Sequence, residues 1–203
     1  GASVEIIRNG SRGMLWLEPL VEVETPSGRV AYGPVTVSDV ASLFDANFLA
    51  GGSHKLGHGL TDEMDWMKRQ NRFTFARVGV IDPLSLDAYR AHGGFKGLEK
   101  AIAIGGAATV EEVRVSGLRG RGGAGFSTGL KWEFCRKAKS DVKYVLCNGD
   151  EGDPGAFTDR SLLEGDPHSI IEAMAIAGFA IGGGQGYIYV RAEYPLAVER
   201  LGI

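Results

Sequence analysis

Residues 117–134, "GLRGRGGAGFSTGLKWEF", place six glycines beside two arginines and a lysine and run into an aromatic-rich segment. Backbone free of side chains lets amide groups come close to a flat or phosphorylated ligand, and a helix starting just after the loop turns its positive end toward it. A phosphate-bearing cofactor is the natural occupant. Gly120, Gly122 and Gly125 satisfy the dinucleotide spacing GxGxxG, and the acidic pair Asp150 and Glu151 follows an apolar run about 25 residues later. Two departures qualify that match. The preceding "TVEEVRVSGL" has helical rather than strand spacing, whereas the dinucleotide loop follows directly on a strand. The phosphate-loop pattern also fails, because Leu130 separates Lys131 from Gly129 and Trp132 follows the lysine.

A second stretch, "CNGDEGDPGAFTDR" at 147–160, crowds Asp150, Glu151, Asp153 and Asp159 around three glycines. Carboxylates grouped at a strand end are costly unless a ligand or cation uses them; a solvated acidic turn is the alternative. His54 and His58 are four apart, but the glycines around them argue for a loop rather than a helix aiming both at a metal.

These residues need a frame. "LVEVETPSGRVAYGPVT", residues 20–36, alternates around Pro26, Ser27 and Gly28 and predicts a hairpin. Thr36 and Asp39 have capping-box spacing ahead of a helix that Gly51 and Gly52 end. Residues 51–70 have no period and read as a linker. From Arg72 a second region begins, with "RFTFARVGV" as a strand, Asp82 and Pro83 opening a helix to His92, and Thr109 with Glu112 capping a short helix before the loop. Thr128–Lys139 is expected to be helical and "KYVLCN" a buried strand. Asp166 with Pro167 opens a long helix, and "GYIYVRAEY" is the last strand. Strands alternating with helices predict an α/β domain.

The totals narrow the classes. The 203 residues carry 22 basic and 25 acidic side chains, a net of −3 that gives no broad attraction to nucleic acid or anionic membrane. The longest apolar run, Ala173 to Ile181, is too short to span a bilayer, and no leader-like segment opens the chain, so a cytoplasmic location is expected. Cys135 and Cys147 lack metal-site spacing, so no metal is expected in the chain. Glycine, at 31 residues, is about twice its usual share. The absence of an initial methionine suggests a fragment of a longer protein.

"GLRGRGGAGFSTGLKWEF", "CNGDEGDPGAFTDRSLLEGDPH" and "GYIYVRAEYP" together resemble the NADH-binding, FMN-containing diaphorase subunit shared by respiratory complex I, soluble NAD-reducing hydrogenases and NAD-dependent molybdenum formate dehydrogenases. The resemblance runs from about Arg72 onward. It implies that Gly120, Arg121, Gly122, Gly123 and Lys131 line an FMN site, with Asn148, Asp150 and Glu151 on the matching acidic segment and Tyr189 and Glu193 on the last strand. Phe126 and Phe134 match aromatics that hold the adenine of NADH. Lys131, Glu151, Asp153 and Tyr189 also belong to the nucleotide side, with Glu151 in the catalytic role near nicotinamide and flavin. Gly149 and Ala192 depart from the family's alanine and glycine, and Asp153 stands where it often has glutamate.

The amino-terminal piece resembles the thioredoxin-like domain fused to this subunit in the soluble enzymes. There "GSRGMLWLEP" puts Ser11 and Leu15 at positions where the family often has cluster cysteines, and leucine cannot ligate iron. The implied organisation is a partial thioredoxin-like domain without cluster cysteines at 1–52, a linker at 53–70, and an FMN/NADH-binding α/β domain at 71–203, cut short at its carboxyl end. The implied function is NADH:acceptor oxidoreduction, with FMN exchanging a hydride with NAD(H) and single electrons with iron–sulfur clusters elsewhere. The implied partners are an iron–sulfur subunit with a thioredoxin-like two-iron domain and a catalytic molybdenum (formate dehydrogenase) or hydrogenase subunit. The first fifty residues favour formate dehydrogenase; hydrogenase, complex I or a scaffold without cofactor are the alternatives.

Overall fold

The computed structural model describes residues 3–202, which form two compact units: residues 11–76, and residues 3–10 with 77–202. In the smaller unit, β1 (Val21–Thr25) and β2 (Gly28–Tyr32) pair antiparallel from Val21–Tyr32 to Thr25–Gly28, so Pro26 and Ser27 make the turn. Gly28 adopts φ +117°, and the Thr25 hydroxyl donates to its carbonyl at 2.6 Å, which closes the hairpin. The Thr36 N–H donates to the Asp39 carboxylate at 3.1 Å, completing the capping box ahead of α1 (Val40–Asp45).

The aperiodic stretch read as a linker carries structure of its own: β3 (Gly57–Leu60) pairs antiparallel with β2, and α2 (Asp65–Lys68) follows. Gly57 and Gly59 erase the alternation that would mark a strand, and β3 is held by main-chain pairing with β2 and by the His58 ring, whose Nε2 lies 2.8 Å from the Gly33 carbonyl. The buried cluster of this unit is Met14, Leu17 and Met67. Ser11 donates to the Glu18 carboxylate at 2.6 Å, and Leu15 is exposed.

The larger unit is a helical layer around a parallel strand pair. Its elements are α3 (Leu86–Ala91), α4 (Lys96–Ile104), α5 (Gly106–Val115), α6 (Thr128–Lys137), β4 (Tyr144–Gly149), α7 (Thr158–Gly165), α8 (Pro167–Ile181), β5 (Gln185–Val190) and α9 (Pro195–Leu201). β4 and β5 run parallel with α7 and α8 between them in sequence, and α8, apolar nearly all round, packs on α4, α5, α6 and β4. Gly129 sets the spacing of α5 and α6, since a Cβ there would lie 2.4 Å from the Arg114 Cα.

Buried polar groups tie this layer together. Arg77 meets Asp166, 1% exposed, at 2.8 Å and lies over the Tyr89 ring. The Glu172 carboxylate on α8 accepts from the Tyr89 hydroxyl at 2.5 Å and from the Phe95 and Leu98 amides at 2.7 and 3.0 Å, capping the first turn of α4. Burial, then the bond to Glu172, pushes the Tyr89 hydroxyl well above its ordinary pKa.

Several local expectations are corrected. Residues 72–80 form turns rather than a strand: the Val80 and Ile81 amides both donate to the Arg77 carbonyl, and Arg77 itself is committed to Asp166. The cap of α3 is Ser85, whose Oγ accepts from the Ala88 amide; Asp82 instead accepts from the Leu84 amide in a preceding turn. Thr109 lies inside α5, its hydroxyl donating back to the Gly105 carbonyl at 3.0 Å, because the helix begins earlier at Gly106. β4 is a strand but not a buried one: Tyr144 and Leu146 are exposed on one face, beside Tyr187 and Tyr189 of β5.

Candidate functional site

The sequence-selected residues fall into two halves. The first is the loop between α5 and α6. Arg119 and Ser127 form an isolated antiparallel bridge, the Gly120 amide donates to the Phe126 carbonyl at 2.8 Å, and the Thr128 amide to the Leu118 carbonyl at 2.9 Å. These bonds draw 120–126 into a narrow lobe, and the Ser127 hydroxyl caps α6 by accepting from the Leu130 amide.

The glycines of this lobe have different reasons for being glycine. Gly123 and Gly125 sit at φ +95° and +59°, conformations that favour glycine. Gly129 is demanded by helix packing. Gly120 and Gly122 have no positive φ; a Cβ at Gly122 would meet nothing within 4 Å, and at Gly120 nothing nearer than 3.7 Å. The fold leaves room for a side chain at both. Arg121 and Lys131 are exposed and, among the described residues, have no ion-pair or hydrogen-bond partner for their side chains. Lys131 lies in the first turn of α6, where helix polarity and its own charge both favour an anion. Phe126 and Phe134 are 47% and 60% exposed, with ring centroids 6.5 Å apart, so they form a surface pair rather than core.

The second half lies at the carboxyl ends of the parallel strands, the position at which open α/β sheets hold ligands. Strand register sets Asn148 beside Tyr189, the latter exposed. The Asn148 side-chain carbonyl accepts from the Asp150 amide at 3.0 Å, shaping the turn, and Asp150 and Asp153 are exposed. The Glu151 carboxylate is engaged inside the fold: it accepts from the Asp159 and Arg160 amides at 3.1 and 3.2 Å, the start of α7, and from the Tyr194 hydroxyl at 3.3 Å. Glu193 pairs with Arg191 at 2.8 Å, which holds its carboxyl below the ordinary range. Burial and then the nearby Glu151 raise the Asp159 carboxyl, and burial followed by Asp159 raises the Cys147 thiol.

Hydrogen bonds and ring contacts join members within each half; among the described residues no hydrogen bond or ion pair links one half to the other. Arg191 and Tyr194 escaped the sequence reading. Arg191 reaches the Glu151 carbonyl at 2.8 Å as well as Glu193, and Tyr194, buried with Leu163 and Ala197, reaches the Glu151 carboxylate. The signal was their place just after β5, opposite the acidic turn.

Comparison with known proteins extends this picture. Residues 113–202 match the family described as the Nuo51 FMN-binding domain. The chain is 55% identical to the NADP-reducing hydrogenase protein HndC of Solidesulfovibrio fructosivorans over 134 residues, covering 66% of this chain and 27% of HndC. It is 48% identical to a component of the NADH-quinone oxidoreductase of Rhizobium meliloti over 128 residues, covering 61% of this chain and 30% of that component. Among solved structures, the NAD+-reducing nickel–iron hydrogenase in its air-oxidized state superposes with a TM-score of 0.52 at 25% identity, covering 85% of this chain and 28% of that one. The chain thus spans less than a third of the length of each. No helix among the described residues is long and apolar enough to cross a membrane. The stretch matched to an FMN-binding domain contains both halves of the site, and the match supports FMN and NAD(H) as its cofactors.

Proposed function

We propose that this chain is the FMN-bearing part of a diaphorase, an NADH:acceptor oxidoreductase subunit that works within an iron–sulfur assembly. The observation that carries the reading is the pair Gly120 and Gly122, bare without any need of the fold, beside the exposed cations Arg121 and Lys131, which have no side-chain partner among the described residues. That cradle fits FMN: main chain approaches a flat ring or phosphate without obstruction, and the two cations compensate negative charge. FMN, when bound, supplies the exchange of a hydride with NAD(H) and of single electrons with iron–sulfur clusters.

The chain's own residues then have definite tasks. Gly120, Gly122 and Gly123 give close approach, and Lys131 offsets charge on the flavin. Asn148, Asp150, Tyr189 and Glu193 line the opposite wall. Phe126 and Phe134 hold the adenine, Asp153 stands on the nucleotide side, and Glu151 sets the charge near the nicotinamide.

The names of the similar proteins favour a hydrogenase or a complex I type of assembly, with an iron–sulfur subunit as partner. The finer alternative, a soluble formate dehydrogenase with a molybdenum subunit, rests on the first fifty residues, read as a partial thioredoxin-like domain that offers a surface rather than a cluster. The test is the full-length protein purified anaerobically. Bound FMN whose absorbance NADH bleaches is expected; absence of flavin, or flavin that NADH leaves oxidised, overturns the reading. The subunits that copurify identify the assembly.

A further inference from the structure

We propose that Arg191 is a positioning residue that locks the flavin side of the site, holding the Glu193 carboxylate and the acidic turn in one fixed arrangement. The inference rests on the FMN reading above. Arg191 directly follows β5 and spends its guanidinium on two elements at once. Its Nε and Nη2 grip Glu193 as a fork at 3.3 and 2.8 Å, and its Nη1 donates to the Glu151 carbonyl at 2.8 Å. A Cβ on Gly152 would lie 4.0 Å from Nη1, so the turn passes close over the guanidinium.

Glu151 is thereby fixed from both ends, its carbonyl by Arg191 and its carboxylate by the first turn of α7 and Tyr194. Other groups in the field of this cation are Asp150 and the Tyr194 hydroxyl, with Arg160 over the Tyr194 ring. Among the described residues no other side chain bonds the Glu193 carboxylate; besides the Glu193 backbone amide, only the fork directs it. A planar guanidinium satisfies three oxygens in fixed directions; an ammonium carries the same charge without that geometry.

The test separates geometry from charge and from general loss of folding. Full-length wild type, Arg191→Lys, Glu193→Gln and the double variant are compared for FMN dissociation, with thermal melts alongside. The expected result is that Arg191→Lys weakens FMN retention about tenfold when Glu193 is present and less than about twofold when it is Gln, because coupled residues are not additive. Unchanged retention in Arg191→Lys overturns the proposal. An equal loss in both backgrounds overturns it too, since that is what a merely structural arginine gives. Wild type without flavin overturns the diaphorase reading and this inference together, whereas either of the other failures with flavin-bearing wild type overturns this inference alone.

Discussion

The glycine lobe and the acidic strand end differ in where their polar groups spend themselves. In the lobe Arg121 and Lys131 have no partner among the described residues, and two glycines are bare without local cause. At the strand end Glu151, Glu193 and Asn148 are all bonded within the chain. The lobe leaves bare backbone and exposed cations, whereas the strand end is built first to hold itself. A ligand can therefore be argued from the lobe alone, while the strand-end residues have structural duties that any functional role must share.

The comparison breaks most sharply at its glycines. Gly129→Ala drives a Cβ into the Arg114 backbone and is expected to cost about 3 kcal/mol of stability, at the upper end for overpacking. Gly122→Ala has room and moves the melting transition by less than about 0.5 kcal/mol, yet sheds FMN. A melt and a flavin titration on the pair decide it: equal destabilisation would erase the distinction between packing glycine and cradle glycine.

Phe126→Ala comes next. Its ring is half exposed and no part of the core, and on the diaphorase reading NADH binding weakens roughly 5- to 150-fold from a stacking loss of about 1–3 kcal/mol, with flavin retained. Flavin reduction at saturating NADH hardly changes, since the loss is shared by ground and transition states. Rapid mixing at several NADH concentrations checks this; unchanged affinity with a lowered melt would move Phe126 into the core.

Glu151→Gln sharpens the other half. The amide offers one acceptor oxygen where two α7 amides now donate, so stability falls by about 0.5–2 kcal/mol, the usual worth of a helix cap. Nucleotide affinity shifts more than flavin content. Equal NADH and NAD affinities in variant and wild type would confine Glu151 to its capping duty.

The smallest effect is a pH dependence. Burial and Glu151 raise the Asp159 carboxyl above its unfolded value, so the native state binds the extra proton. Its stabilising contribution is complete below the unfolded pKa and is lost as pH rises through the folded one. Asp159→Asn is accordingly expected to melt slightly higher than wild type at neutral pH, the gain shrinking as pH falls through the raised folded pKa and vanishing below the ordinary carboxylate value. A gain independent of pH would show that charge at 159 is not the cause.

What could be read in the sequence was whatever announces itself locally. The hairpin at 20–36 carries its turn residues, and α6, α8 and β5 carry their periods or proline starts. α4 stayed hidden because its cap comes from Glu172, on another helix, and Phe95 before it adopts φ +65° without a glycine to mark the turn. The alternation of "RFTFARVGV" misled because Phe73 is 89% exposed and Val78 packs against Gly165, so the pattern had no sheet to serve. The loop residues were legible since their chemistry is in the residue types; Arg191 was not, since its task exists only once the acidic turn and the strand end meet.

Glu172 also imposes an order on how the chain is made. Its three partners lie 83, 77 and 74 residues earlier in the sequence. While a ribosome is still translating α7, the Phe95 and Leu98 amides and the Tyr89 hydroxyl have only water to bond. Contacts of such separation form late, after loop closure has been overcome. The helices that lead into the glycine lobe therefore lock only when α8 arrives, and one carboxylate times the maturation of a site it never touches.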